Sequence, residues 1–452
     1  MKRMLKESAT VIGGRLQGED RAYAAISTDS RTLQAGALFV ALRGPNFDGA
    51  GFVAAAAEAG AAGAIVPRFL PVKLPQIEVA DTLAALQRLA TKWRTNFRLP
   101  LIAVAGSNGK TTVKEMIAAI LTRMGPCLAT QGNLNNHIGV PLTLMRLNET
   151  HKSAVIELGA NRIGDVAQLM ALAQPTIGLI TNAGSEHLEG FGSVEGAAQG
   201  EGETVSSLGA TGTAIINADD VFASYWRGLA GSRRILSFGV EKSADFSARH
   251  SRQRIVRGEF VTHFDLSSPA GSVPITIHAG GAHNVRNALA AAAAAHAAGA
   301  ALGHIVAGLE HFRPVGGRLQ LKAGPEGSWI IDDSYNANPS SVKAGLDVLR
   351  ALPAPIWCVL GEMAELGEKT NELHEDIGTY ARDCGVARLF GVGAPTALTV
   401  ATFGANAEWF PDVEQLISRL QSELPAGATV LVKGSRVNRL ERVVVALTSR
   451  GN

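Results

Sequence analysis

The run Gly106-Ser107-Asn108-Gly109-Lys110-Thr111-Thr112 carries the clearest chemistry in this chain. Glycines, a lysine and hydroxyls so closely spaced suit a phosphate. Backbone N–H groups and a helix N-terminus face the anion, and Lys110 adds a full charge. Lys110 can reach the outer phosphates of a nucleoside triphosphate, and Thr111 can place its hydroxyl on Mg²⁺. The elements that must hold such a loop flank it. An apolar run from Leu101 to Ala105 enters as a strand, and a helical pattern from Val113 to Arg123 leaves it. The run is not a full Walker A, because Val104 stands where that pattern has glycine or alanine. Glycine turns are common in a chain with 50 glycines, so the strand and helix carry the reading more than the glycines do.

Other candidates lie at the ends of predicted strands. Glu157 closes Val155-Ile156-Glu157, Asn182 closes the next strand, and His187 follows a glycine loop. A strand-end carboxylate beside a phosphate loop suits Mg²⁺, which prefers oxygen ligands. The plainer alternatives are a surface ion pair for Glu157 and a structural or exposed role for His187. His283, Asn284 and Asn287 share the first turn of an alanine-rich helix, where their groups can read a base edge or cap the helix. Arg318 and the pair Asp332-Asp333 open the last third of the chain. That pair suits a hydroxyl or amine partner, or a helix cap. Gly361-Glu362-Met363-Ala364-Glu365 and Lys433-Gly434-Ser435-Arg436 are further charged strand exits.

At 452 residues the chain is too long for one ordinary core, which predicts about three domains. Strand and helix patterns alternate, which predicts three α/β domains: a small N-terminal module over 1–84, a central, mostly parallel sheet over 85–312, and a doubly wound, Rossmann-like domain over 313–452. Residues 245–278 alternate polar and apolar and predict a small antiparallel excursion. With 42 basic and 40 acidic residues the net charge is +2, which argues for neither nucleic acid nor an anionic membrane as partner. Cys127, Cys358 and Cys384 have no metal-ligand spacing and fit a reducing cytoplasm. No signal-peptide pattern opens the sequence, and the alanine-rich stretch from Ala288 to Ala298 predicts a buried helix, not a membrane span.

Together these motifs resemble the Mur ligase family nearly end to end, and most closely its D-alanyl-D-alanine-adding branch. The carriers are Thr28-Asp29-Ser30-Arg31, GSNGKTT at 106–112, Asn133-Leu134-Asn135-Asn136-His137, the segments around Glu157 and His187, and HNVRNA at 283–288. To these are added DDSYNANPSS at 332–341, GEMAELG at 361–367 and LVKGSR at 431–436. The resemblance implies an ATP- and Mg²⁺-dependent ligase that is cytoplasmic and monomeric, without nucleic acid or membrane insertion. Its implied substrates are UDP-N-acetylmuramoyl-tripeptide and D-alanyl-D-alanine. It implies catalytic roles for Lys110, Glu157 and His187. ATP would be held by Gly106, Ser107, Asn108, Gly109, Lys110, Thr111, Thr112, His283, Asn284, Asn287, Arg318 and Asp333. Substrate contacts would come from Asp29, Ser30, Arg31, Asn135, Asn136, Tyr335, Asn336 and Asn338.

One departure stands out. The family usually carries a lysine, carbamylated by CO₂, shortly after His187. Here the run is Ala198-Gln199-Gly200-Glu201-Gly202-Glu203, with Glu201 in that place. Glu201 is therefore expected to join Thr111, Glu157 and His187 as a metal ligand, and activity is expected to need no CO₂. A solvated helix residue is the plainer alternative. Competing functions are another amino-acid-adding Mur ligase, a folylpolyglutamate synthase, or a non-catalytic ATP-binding protein.

Overall fold

Three sheets organise the chain in a computed structural model that describes residues 3–44 and 47–448. The first has five strands, ordered Arg15–Gln17, Gln76–Glu78, Gly63–Val66, Leu38–Val40 and Ile26–Ser27. All but the outermost Arg15–Gln17 pairing are parallel.

The central sheet has nine strands. Seven run parallel: Cys127–Ala129, Ser153–Glu157, Leu101–Ala105, Ile177–Ile180, Thr213–Asn217, Arg234–Gly239 and Phe246–Val256. Glu259–Ser268 and Gly271–Ile277 then fold back antiparallel, as the alternation over 245–278 predicts. Every residue of Leu101–Ala105 and Ser153–Glu157 is buried. A parallel sheet covered on both faces needs such continuous apolar runs. Register pairs Val104 with Glu157 and Ala105 with Ile180. The phosphate loop, Glu157 and the segment leading to His187 therefore leave the sheet at one edge.

Helix Lys110–Leu121 packs against Ala282–Ala297 and Leu302–His311. Small residues make the approach close: a Cβ on Gly308 would sit 2.4 Å from the Ile120 Cα. The alanine-rich helix is buried from Asn287 to Ala295. Among the described residues no helix is long and apolar enough to cross a membrane.

The third sheet has six strands, ordered Gln320–Ala323, Trp329–Asp333, Thr429–Lys433, Ile356–Gly361, Arg388–Val392 and Ala407–Phe410. Only the first pairing is antiparallel.

Three local expectations shift. The loop helix begins at Lys110, not Val113, because Gly109 takes the left-handed N-cap position. The strands Cys127–Ala129, Arg234–Gly239 and Ala407–Phe410 join their sheets without having been singled out in the sequence. The cut at 84 falls inside helix Thr82–Arg94, whose N-terminus is capped by Asp81. Leu86 and Leu89 of that helix share one buried cluster with Leu5 of the first domain and Leu101 of the second. Trp93 and Arg94 bond to the carbonyls of Leu147 and Ala173. The helix thus serves both cores and docks on the second. The expected break after 312 lies between helix Leu302–His311 and strand Gln320–Ala323.

Candidate active site

Two glycines shape the phosphate loop. Gly106 has φ +123°, and a Cβ there would meet Thr181 Oγ1 at 2.1 Å. Gly109 has φ +83°, and a Cβ there would meet Asn287 Oδ1 at 2.6 Å. Lys110 folds back on the loop, with Nζ donating to Gly106 O at 2.5 Å and Ser107 O at 3.0 Å. Its charge partner is Glu186, 3.5 Å away. Burial works against the Lys110 charge, but Glu186, Glu201 and Glu157 outweigh it and raise its pKa.

Glu157 is buried, and one of its oxygens is already engaged. Oε1 accepts from Asn135 Nδ2 at 2.9 Å and from Thr111 Oγ1 at 3.3 Å. Oε2 is buried without a hydrogen-bond partner. An orphaned carboxylate oxygen beside a threonine hydroxyl at a phosphate loop fits Mg²⁺, whose remaining ligands are commonly phosphate oxygens and water. Among the described residues no three His, Cys, Asp or Glu side chains gather with metal-holding spacing.

These residues border a cavity of about 610 Å³. Asn108, Lys110, Thr111, Glu157 and His187 line it from the central domain, as do His283, Asn284 and Asn287. Arg318, Asp333, Tyr335, Asn336 and Asn338 line it from the third domain, and Asn135 and Asn136 line it from the central one. Asn284 and Asn287 do not cap their helix. Asn287 Nδ2 donates to Asn284 Oδ1 at 3.0 Å, and Asn284 Nδ2 donates to Gly280 O at 2.8 Å. Burial pushes His283 down to about 4, so its ring is neutral at pH 7. The Asp332-Asp333 pair divides its work. Asp332 is held by Lys322 and Ser334, while Asp333 accepts from Lys433 Nζ at 2.6 Å and from Leu319 N–H at 3.2 Å. Neither caps the next helix; Asn338 does. Arg318 stacks over Tyr335 at 4.1 Å.

Three parts of the predicted set do not line the cavity: the first-domain triplet, Glu201, and Gly106, whose N–H is turned to Glu201. Asp29, Ser30 and Arg31 do not line this cavity. They sit in the first domain, where Arg31 grips Asp29 through two nitrogens at 2.9 and 2.6 Å and holds its carboxyl down to about 2. Glu201 does not line it either, contrary to the metal-ligand expectation. Helix Val194–Ser206 passes behind the loop, and Glu201 Oε2 accepts the Gly106 N–H at 2.6 Å. Glu201 is only 3% exposed, so the solvated-helix alternative fails as well. His187, in left-handed backbone at φ +51°, contacts Glu186 at 3.5 Å and Glu365 from the third domain. Burial opposes its charge, but the two carboxylates prevail and raise its pKa.

Sequence reasoning gave no site role to Glu186, Arg286, Phe238 or Lys433, which line the cavity wall. Glu186, Arg286 and Lys433 lie inside segments already singled out. Only the spatial neighbours Lys110, Asp219 and Asp333 reveal their roles.

A phosphate loop on a parallel sheet, a vacant carboxylate oxygen beside it and a second domain supplying cations define a three-domain nucleotide-dependent enzyme. Residues 22–94 match the Mur ligase family catalytic domain, 104–295 the Mur ligase middle domain and 317–436 the Mur ligase glutamate ligase domain. The chain is 41% identical to the UDP-N-acetylmuramoyl-tripeptide–D-alanyl-D-alanine ligase of Escherichia coli (strain K12), over 99% of this chain and 98% of that one. A crystal structure of MurF from Acinetobacter baumannii superposes with TM-score 0.93 at 34% identity, covering 100% of this chain and 99% of the other. MurF ligase from Thermotoga maritima, solved in complex with ADP, gives 0.83 at 25% identity, covering 94% and 97%. The chain belongs to the Mur ligase family.

Proposed function

We propose that this chain joins D-alanyl-D-alanine to UDP-N-acetylmuramoyl-tripeptide at the expense of ATP, in cytoplasmic synthesis of peptidoglycan precursors. The observation that carries this reading is one cavity shared by the central and third domains. It brings the phosphate loop, the Thr111–Glu157 pair and the third-domain cations Arg318 and Lys433 together. The full-length match to ligases of that name supports it.

A carboxylate resists attack by an amine because it has no leaving group. Transfer of the ATP γ-phosphoryl group to a terminal carboxylate oxygen of the tripeptide releases ADP and leaves an acyl phosphate. The free amine of D-alanyl-D-alanine attacks the acyl carbon and loses a proton. The tetrahedral adduct then expels inorganic phosphate as the peptide bond forms. The protein contributes position and charge.

In this reading the N–H groups at the start of helix Lys110–Leu121 cradle the phosphates, while those of Gly106, Ser107 and Asn108 hold the loop in shape. Lys110 exchanges its loop carbonyls for the transferring phosphoryl group. Thr111 and Glu157 would hold Mg²⁺, which when bound neutralises phosphate charge. His187 would help hold a second Mg²⁺ nearer the acyl phosphate, and Glu201 is left out of that set. His283, Asn284 and Asn287 face adenine. Arg318 and Asp333 bring the third domain onto ATP, Tyr335 and Asn336 face the peptide substrates, and Asp29, Ser30 and Arg31 face the uridine nucleotide. In this reading the enzyme acts as a monomer.

The test is inorganic phosphate release from ATP with the UDP-muramoyl-tripeptide, with and without D-alanyl-D-alanine. Release that requires the dipeptide and accompanies peptide-bond formation is expected. Release indifferent to the dipeptide, or none, would refute the assignment.

A further inference from the structure

The tip of the phosphate loop is tied to two domains at once. The backbone of Asn108 is held within the central domain. Its N–H donates to Asn182 Oδ1 at 3.0 Å, and its carbonyl accepts from Thr181 Oγ1 at 2.6 Å and Asn182 Nδ2 at 2.9 Å. Its side chain reaches the third domain. Nδ2 donates to Ser340 Oγ at 2.9 Å, and Oδ1 accepts from Asn338 Nδ2 at 2.8 Å. Ser340 Oγ donates to Asn338 Oδ1 at 3.1 Å, which closes a ring of three side chains.

Asn338 is fixed from its own side. Its Oδ1 caps helix Pro339–Arg350 through the Ser341 N–H at 2.9 Å, its N–H donates to Ser341 Oγ at 3.0 Å, and it is 4% exposed. Capping leaves its amide NH₂ for Asn108. Across the cavity, Glu365 makes a second bridge to His187, and its carbonyl accepts the Glu189 N–H at 3.4 Å.

We propose that Asn108, Asn338 and Ser340 form a latch. They are positioning residues that set the phosphate loop when the third domain docks, not contacts to two separate substrates. Loop geometry and domain docking then form one equilibrium, so a ligand that favours either favours both. The proposal rests on the ligase reading.

The experiment compares Asn108→Ala, Asn338→Ser and the double variant. Serine preserves a capping oxygen at 338 but is too short to reach Asn108. Each single variant is expected to lower kcat about tenfold, with the double no worse than either, as for one shared interaction. KM for ATP should change little. Spin labels on exposed positions of the two domains, read with a non-hydrolysable ATP analogue, should show the same loss of the docked distance in all three. Losses that multiply in the double, with Asn108→Ala raising KM for ATP and Asn338→Ser raising KM for the dipeptide, would overturn the latch. A wild-type enzyme without dipeptide-dependent phosphate release would refute the ligase reading instead, and the spin-label distances alone would then decide the latch.

Discussion

Replacing Glu201 by glutamine should stabilise the protein at pH 8 relative to wild type, compared with pH 4.5. Burial is the main cause: the carboxyl is 3% exposed and is pushed up to about 7 from an ordinary value of 4.5. Lys110 pulls it down and Glu186 pushes it up, and one hydrogen bond from Gly106 is too little to hold it ionised. Between pH 4.5 and 7 the folded protein keeps a proton that the unfolded chain has released. The Glu201 contribution to wild-type stability therefore falls as pH rises through that window, and is level below and above it. The difference amounts to about 3 kcal/mol at pH 8. Glutamine has no proton to lose, and its carbonyl still accepts from Gly106. Urea denaturation of both proteins, without nucleotide, should show their stability difference growing by about that amount from pH 4.5 to 8. Taking the difference cancels every group the two proteins share. A difference that stays flat would mean Glu201 ionises as readily in the fold as in the open chain, and the burial argument would be wrong. Lys110→Met removes the nearest cation and should move the window to higher pH.

Thr111→Val removes the hydroxyl beside the vacant Glu157 oxygen and should raise the Mg²⁺ concentration for half-maximal rate roughly 10–100-fold, read from a Mg²⁺ titration of ligation. Gly109→Ala places a Cβ 2.6 Å from Asn287 in left-handed backbone; ATP affinity should fall by at least about tenfold, and calorimetry would expose an unchanged affinity. His374 is fully buried, bonded to Met363 N–H and Thr399, and driven down to about 4 by burial. The unfolded chain takes up its proton between about pH 6.5 and 4 while the fold does not, so the His374 contribution to stability should drop by about 3 kcal/mol as pH falls through that range. His374→Gln should flatten this slope in thermal melts, whatever it does at pH 7.

The parts of the site legible in the sequence are those that a strand end makes local. Leu101 to Ala105 followed by GSNGKTT is strand, turn and helix within one stretch, so Lys110 and Thr111 could be assigned without any distant residue. Glu157 was legible for the same reason, as a polar residue closing an apolar run. Glu201 was not. Its neighbours Gln199, Gly200 and Gly202 have no apolar periodicity to set the phase of the helix, and only tertiary packing decides which carboxylate turns inward. Glu201 turns to Gly106, while Glu203 caps the helix starting at Asp165 by accepting from the Gly164 and Ala167 N–H groups. The partner of Lys433 was hidden by distance along the chain: the charged strand exit meets Asp333 because the two are register partners on parallel strands. The same holds for the latch. Asn108 and Asn338 each look like a ligand-facing amide in their own loop, and only the docked domains show that they face each other. A buried carboxylate behind the loop and an amide ring in front of it fix both ends of the phosphate cradle through contacts that local pattern cannot encode. Substitutions at Glu201 and Asn338 should therefore alter ATP chemistry without touching ATP.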